Sequence, residues 1–572
     1  MGSEMCIRDR YWAETNCFDE TTREEAKLLL ETATEEELMD RFGTTLEFGT
    51  GGLRGVMGVG LNRMNRYTVM QATEGLARYI EKRQETDASG VVIGFDSRNN
   101  SEVFAHAAAE VLAKHGIRVY LFRDIVPTPV VSYALLQKKA VAAIILTASH
   151  NPPEYNGYKV YWKHGGQIIT PDDEMIIDEV RSVDDIAEIP QMDFEEALQQ
   201  GRIEWIEDDI DPEYLEKLLP LSFGKPSQNE QLGVVYTPLH GTGGRLVPRL
   251  LKERGFTNVH CVASQMVPDG NFSTVLSPNP EDATAYELPI AEAQVEHQLI
   301  LANDPDADRL GVMVRNNQQE WVRLNGNQIG ALLLDFVLRV LQESGKLPEN
   351  GLYIGSVVTS PLGKRIAEHY GLAVKEVLTG FKWIWSVALQ AESKGQKFLF
   401  GMEESHGYLM GNHTGDKDGV WAAMAFAEMV ASLKAQGSGP IQRLEELYQQ
   451  YGFHLDSLHN QNFGGLEGKQ QMELTLSQIR DNPPERLAGL KVQRIIDLLT
   501  DQERIPGNPE IQVGPGLPRS NVIILQLEQN SRVIVRPSGT EPKVKYYFNL
   551  SGEREEMQER LAQLKASLGL ST

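Results

Sequence analysis

Short apolar runs alternate with amphipathic stretches along most of the chain, which predicts repeated strand–helix units. Segments 91–95, 117–122 and 140–146 are β-prone runs that read as buried strands, and 101–115, stopped by Gly116, and 128–139 read as the helices between them. The order returns with strand 232–236, helix 245–254, strand 258–263 and two further apolar runs, 299–302 and 310–314. A third round opens with 328–341, where Ile329, Leu333, Phe336 and Val340 share one helical face. It continues with strand 352–357, helix 362–370 and strand 398–400, and helix 420–434 closes it. Ahead of all three, 24–42 reads as a helical lead-in. Strands separated by helices predict mostly parallel sheets with covered faces. After Gly452 the pattern changes: helix-prone segments flank strands 522–527, 532–536 and 544–549, a smaller α+β arrangement, and 505–518 reads as a loop. The acidic stretch 172–230 carries no clear signal. The expected domains are therefore 1–208, 209–320, 321–455 and 456–572.

Each unit ends a strand in a loop of reactive side chains. Residues 145–152 read Ile-Leu-Thr-Ala-Ser-His-Asn-Pro. Asn151-Pro152 forces a turn, which leaves Ser149 at the carboxyl end of a strand, where open α/β sheets place their ligands. Ser149 is either a nucleophile beside a proton acceptor or simply a turn former. In Asp304-Pro305-Asp306-Ala307-Asp308-Arg309, three alternating carboxylates can converge on a hard cation, Mg²⁺ or Ca²⁺. The other reading is a solvated acidic turn, but alternating acids between buried strands repel one another unless something neutralises them. An EF-hand is excluded, because Arg309 and Arg315 stand where its Gly and Glu belong. Residues 401–408, Gly-Met-Glu-Glu-Ser-His-Gly-Tyr, offer carboxylates and a hydroxyl suited to sugar hydroxyls, although a surface loop with two Glu is ordinary. Residues 536–543, Arg-Pro-Ser-Gly-Thr-Glu-Pro-Lys, combine a guanidinium with neutral donors in a turn, as an anion nest does; a plain hairpin turn would look similar.

Together and in this order the four loops resemble those of the α-D-phosphohexomutase family, in its long-chain branch of bacterial phosphoglucomutases and phosphopentomutase-like enzymes. The resemblance covers nearly the whole chain. Its further marks are Phe-Gly-Thr-Gly-Gly-Leu-Arg-Gly at 48–55, Thr-Gly-Phe-Lys-Trp-Ile at 379–384 and Asp-Lys-Asp-Gly at 416–419. The resemblance implies three related, mixed α/β domains with mostly parallel sheets and a smaller α+β C-terminal domain around a central cleft. It implies an Mg²⁺-dependent phospho-sugar mutase working through phosphorylated Ser149 and a glucose 1,6-bisphosphate that also serves as activator. Ser149, Asp304, Asp306 and Asp308 would hold the metal. Glu403 and Ser405 would hold sugar hydroxyls, and Thr379, Gly380 and Lys382 would read the face of the sugar. Arg536, Ser538, Gly539 and Thr540 would hold the non-reacting phosphate, with Arg309 and Lys417 as further substrate contacts. A base is also needed: His150 and Lys159 both remain candidates, while Arg54, charged at any ordinary pH, suits charge stabilisation. Two positions depart from the family pattern and bear on sugar preference: Gly51, where many relatives have Ala, and His406, where Tyr or Phe is frequent.

Composition is that of a globular protein, with 24% charged and 41% hydrophobic residues in 572. A formal charge of −25 argues against nucleic acid or an anionic membrane as partner. It also means that a phosphorylated substrate needs local positive charge, which Arg54, Lys159, Arg309, Lys382, Lys417 and Arg536 can supply. Three cysteines, Cys6, Cys17 and Cys261, suggest neither a disulfide framework nor a thiolate metal site, which fits the cytoplasm. No secretory or membrane-spanning pattern is visible. Residues 1–10 resemble translated adaptor sequence and are set aside. Glucose phosphates are the expected substrates and a monomer the expected form. Pentose or mannose phosphates by the same chemistry are the alternative, followed by a non-catalytic phosphosugar-binding protein, which the intact Ser149 and Asp residues disfavour.

Overall fold

A computed structural model describes residues 9–49, 51–84, 90–206, 209–463, 465–508, 510–538 and 543–570. It contains two compact units: residues up to Leu324 with His406–Gln436, and Asn325–Ser405 with Gly437–Thr572.

The first unit carries two sheets. In one, β1 (Gly52–Val56), β2 (Val91–Phe95), β3 (Val119–Phe122), β4 (Ala142–Leu146), β5 (Tyr155–Trp162) and β6 (Ile203–Ile206) run in the order β1-β5-β4-β2-β3-β6. The four strands from β4 to β6 are parallel, while β5 and β1 return antiparallel. The parallel strands are buried along almost their whole length, the expected consequence of helices on both faces. Strands β1 and β5 matter to the site because their register sets Lys159 opposite both Gly52 and Ile145, and Arg54 opposite Gly157. The second sheet joins β7 (Gly233–Thr237), β8 (Asn258–Cys261), β9 (His297–Asn303), β10 (Leu310–Arg315) and β11 (Trp321–Leu324) in the order β11-β10-β9-β7-β8. Asn303 pairs with Leu310, so the three aspartates sit in the tight connection between β9 and β10.

The second unit has a parallel set, β12 (Gly351–Ser356), β13 (Ala373–Val377) and β14 (Lys397–Glu403), with β12 central. The next strand, β15 (Gly407–Met410), and the helix Gly419–Ala435 belong to the first unit, where that helix packs on β9 and β10. Asp418 starts the helix by accepting the amides of Val420 and Trp421. The C-terminal sheet is antiparallel throughout. It runs β16 (Phe453–Asn462), β23 (Lys543–Gly552), β22 (Arg532–Pro537), β21 (Ile523–Leu527), β18 (Leu490–Asp497), β19 (Gln502–Arg504) and β20 (Ile511–Val513), with β17 (Arg486–Leu487) on β18. Separate apolar cores lie under the first sheet, the second sheet and the C-terminal sheet.

The α/β character and the central strands follow the sequence expectation. The lead-in helix does not run through 24–42. It stops at Thr32, and Thr34 caps a new turn by accepting the Glu37 amide. The acidic stretch 172–230 is structured: it holds the helices Asp172–Arg181 and Ile210–Leu218 and strand β6. Three of its carboxylates, Asp172, Asp173 and Glu174, sit in the first turn of Asp172–Arg181, where the helix dipole favours them. The loop expected at 505–518 contains edge strand β20. Asp9 and Arg10, set aside with the N-terminus, lie in a helix at 9–14, while residues 1–8 are outside the described residues.

Candidate functional site

In the first unit, strand β4 delivers Ser149 on a turn where its φ is +53°, a conformation L-residues rarely adopt. Ala307 and His406 share this left-handed backbone, at +51° and +64°. The Ser149 amide is anchored to Thr147 Oγ1 at 2.8 Å. Its hydroxyl donates to Asp304 Oδ2 at 2.7 Å and lies 3.1 Å from His150 Nδ1.

Asp304, Asp306 and Asp308 are essentially inaccessible to solvent, and one carboxylate oxygen from each falls within a common 4.8 Å. Cations surround them. Lys159 Nζ is 2.7 Å from Asp306 and 3.6 Å from Asp308, and Lys417 Nζ is 3.1 Å from Asp308. Arg309 Nε stands 4.0 Å from both Asp304 and Asp308, with its other end on Glu281 at 2.7 Å. Burial and then the charges of Asp306 and Asp308 push the Asp304 carboxyl well above the usual range. Burial also opposes ionisation of Asp306, but Lys159, the hydrogen bond with Asp304 and Lys417 together outweigh it and hold that carboxyl below its usual value. Asp308 is raised, by burial and by Asp306. Asp306 Oδ1 and Asp308 Oδ1 are buried without a hydrogen bond. Crowded carboxylate oxygens lacking donors are an all-oxygen set that fits a hard divalent cation.

The base candidates separate. Burial alone would lower the Lys159 pKa, but Asp306 and Asp308 outweigh it and raise it. Burial, reinforced by Arg309 and Arg54, pushes His150 well below 6.5 and leaves its ring neutral at physiological pH. Arg54 reaches Asn151 Oδ1 at 3.4 Å. Thr128 and Tyr161 at the site were not singled out from sequence, and Asp416 only as part of the motif at 416–419. Thr128, at the start of a helix, donates both its amide to the Asp306 carbonyl and its hydroxyl to Oδ2. Asp416 accepts Lys417 Nζ at 2.9 Å and Tyr161 Oη at 2.6 Å. No spacing rule brings these residues to the loop; only the folded sheets do. His406 is buried, with Nδ1 3.0 Å from the Leu310 carbonyl, so its ring holds the end of the aspartate loop.

In the second unit, Glu403 ends β14 and accepts the Gly380 amide at 2.6 Å. This ties two expected sugar-reading loops together. Gly380 has φ +111°, which favours glycine, and it precedes the helix Phe381–Glu392, with Thr379 just before it. Lys382 Nζ lies over the Trp383 ring at 5.4 Å. Ser405 follows Glu403 by two residues in the same unit. Arg536 lies near the end of β22, and the Ser538 amide donates to the Lys543 carbonyl at 2.8 Å. Gly539 and Thr540 lie outside the described residues.

Four family descriptions match the chain in order. They are phosphoglucomutase/phosphomannomutase alpha/beta/alpha domains I (45–187), II (212–318) and III (325–451), and the C-terminal domain (512–567). The phosphoglucomutase of Staphylococcus aureus strain MRSA252 is 37% identical over 517 residues, 90% of this chain and 91% of the relative. Among solved structures, a putative phosphomannomutase from Thermus thermophilus matches with a TM-score of 0.66 at 23% identity, covering 92% of this chain and 98% of the other. Parafusin (phosphoglucomutase) from Paramecium, in an open form, matches with 0.67 at 18%, covering 93% and 94%. At such identities the structures speak for the fold.

Proposed function

Because the chain belongs to the phosphoglucomutase/phosphomannomutase family, enzymes of intramolecular phosphoryl transfer, we propose that it interconverts glucose 1-phosphate and glucose 6-phosphate through phosphorylated Ser149. The observation that carries this reading is the Ser149 hydroxyl 2.7 Å from a buried carboxylate triad ringed by Lys159, Lys417 and Arg309. Asp304, Asp306 and Asp308, with the Ser149 oxygen, would hold Mg²⁺, which when bound supplies positive charge at the phosphoryl oxygens. Phosphoryl transfer passes through a loose transition state, so positioning and electrostatics do most of the work. Ser149 gives its phosphoryl group to the free hydroxyl of the sugar monophosphate, forming glucose 1,6-bisphosphate. The bisphosphate reorients, and its other phosphoryl group returns to Ser149. Arg54, Lys159, Lys417 and Arg309 stabilise the charge spread over the group in flight. His150 accepts the sugar proton, since it is neutral and adjacent whereas Lys159 is held as a cation. Glu403, Ser405, Thr379, Gly380 and Lys382 hold the sugar, and Arg536, Ser538, Gly539 and Thr540 hold its distal phosphate. A trace of bisphosphate keeps Ser149 loaded after an intermediate escapes. The enzyme works as a cytoplasmic monomer in this reading; the thiols of Cys17 and Cys261 are free.

The test is a coupled assay of glucose 1-phosphate conversion with Mg²⁺ and trace glucose 1,6-bisphosphate, on wild type and Ser149→Ala together. Turnover in wild type that disappears with EDTA and in the variant is expected. Turnover that survives Ser149→Ala would retract the phosphoserine. Faster turnover of pentose or mannose phosphates would reassign the sugar.

A further inference from the structure

We propose that Arg98 is a positioning residue that sets the Ser149 backbone for phosphoryl transfer. Arg98 lies just beyond β2, and its side chain is fully buried. Its guanidinium spreads over the carbonyls of the serine turn. Nη1 donates to Pro152 at 2.8 Å and Tyr155 at 3.0 Å, and Nη2 donates to Ser149 at 2.7 Å and to Asn151. One planar fork therefore holds four acceptors across 149–155, including the carbonyl of the phosphoryl carrier itself. A Ser with φ of +53° relaxes unless its surroundings hold it, and this fork makes four donor contacts on that turn.

The fork is itself braced. Asp96 Oδ2 faces Arg98 Nε at 3.4 Å, and Asp96 Oδ1 accepts the Arg98 amide and the Ser101 hydroxyl, both at 2.9 Å. The Phe272 ring covers the guanidinium, its centroid 4.9 Å from Cζ. Beside it, Asn99 Nδ2 bonds Asn271 Oδ1 at 2.8 Å, and Gly270 comes so near that a Cβ would lie 2.5 Å from the Asn99 nitrogen. Arg98 donates to no side chain of the aspartate triad and not to the Ser149 hydroxyl. Its effect reaches the reaction through the placement of Oγ relative to Asp304. A lysine keeps the charge but brings only one nitrogen, which cannot bridge four carbonyls.

This assignment rests on the phosphoserine reading, so the experiment includes its control. Full-length wild type, Arg98→Lys and Asp96→Asn are compared for thermal melting, Mn²⁺ binding by electron paramagnetic resonance, kcat and KM for glucose 1-phosphate, and Ser149 phosphorylation by glucose 1,6-bisphosphate, read by intact mass. Folded Arg98→Lys is expected to lose on the order of 10²-fold in kcat and in the rate of Ser149 loading, because misplacement by about an ångström costs that much. Its KM and Mn²⁺ affinity are expected to stay close to wild type. Asp96→Asn keeps the Oδ1 acceptor but turns an amide NH₂ instead of a carboxylate oxygen toward Nε, so about a tenfold loss with the same selectivity is expected. An unchanged kcat in folded Arg98→Lys overturns the assignment, as does a fall in kcat accompanied by matching losses in KM and Mn²⁺ binding, the mark of general loosening. If Arg98→Lys does not fold, Asp96→Asn decides by the same criteria. Wild type that never becomes phosphorylated at Ser149 removes the phosphoserine reading and this assignment with it.

Discussion

At the scale of the residue, the decisive contrast is between His150 and Lys159, which lie at the same site with opposite pKa displacements. An imidazole or amine base must be neutral to accept a proton. With its pKa well below 6.5, His150 is neutral throughout the physiological range and is protonated only as the pH falls past that lowered value. The acidic limb of kcat/KM is therefore expected well below pH 6.5. Removing the ring in His150→Gln should lower kcat on the order of 10²-fold or more and abolish that limb, with KM little changed. An unaltered limb in the variant would retract His150 as the base. Asp306 gives a second expectation. Mg²⁺ bound to the folded form should raise the wild-type melting temperature, adding about 2.7 kcal/mol at a hundred times its Kd. Asp306→Asn, lacking one ligand, should show little such gain. Thermal melts with and without Mg²⁺ read the difference.

At the scale of the element, β1 and β5 show what the sequence hides. Parallel strands β2 and β4 announce themselves as unbroken apolar runs because both their faces are covered. In β5, Lys159 and Asn156 interrupt the run, and Gly52, Arg54 and Gly55 do so in β1. Those interruptions carry the chemistry, so β1 and β5 were less legible than β4, β9 and β10, which also flank the site. The loops themselves were legible, since Ser149 and the alternating aspartates stand out by residue type. Their supports Thr128 and Asp96 come from distant elements and look ordinary in sequence, and Asp416 stands out only as part of the motif at 416–419. Loop 411–418 illustrates the dependence. Gly415 donates its amide to Ser132 Oγ at 2.9 Å, and a Cβ there would lie 2.3 Å from the Gly165 carbonyl carbon. Backbone cannot yield as a side-chain tip can. Gly415→Ala should displace the loop carrying Asp416 and Lys417, raising KM for the sugar phosphate several-fold while stability falls by about 1–3 kcal/mol. Asp418→Ala should cost about 2–3 kcal/mol, since it strips two amides of the helix Gly419–Ala435 and the Tyr214 hydroxyl of their acceptor. Chemical denaturation measures both.

At the scale of the whole molecule, the chain enters and leaves its units more than once. The first unit is interrupted after Leu324 and completed by His406–Gln436, which brings Lys417 to the aspartates and lays the helix Gly419–Ala435 on β9 and β10. A fragment ending at Leu324 would leave that apolar surface bare. It should bind a hydrophobic dye and melt without a cooperative transition, whereas the intact protein should do neither; dye fluorescence and calorimetry compare them. The same interruption orders events during synthesis. Roughly 110 residues separate Leu324 from Gln436, so at about 5–20 residues per second the ribosome needs on the order of ten seconds to supply the missing piece. For that interval the nascent chain already holds the serine and the three aspartates but lacks the segment that covers β9 and β10, and a trigger-factor-like holdase has its natural window there.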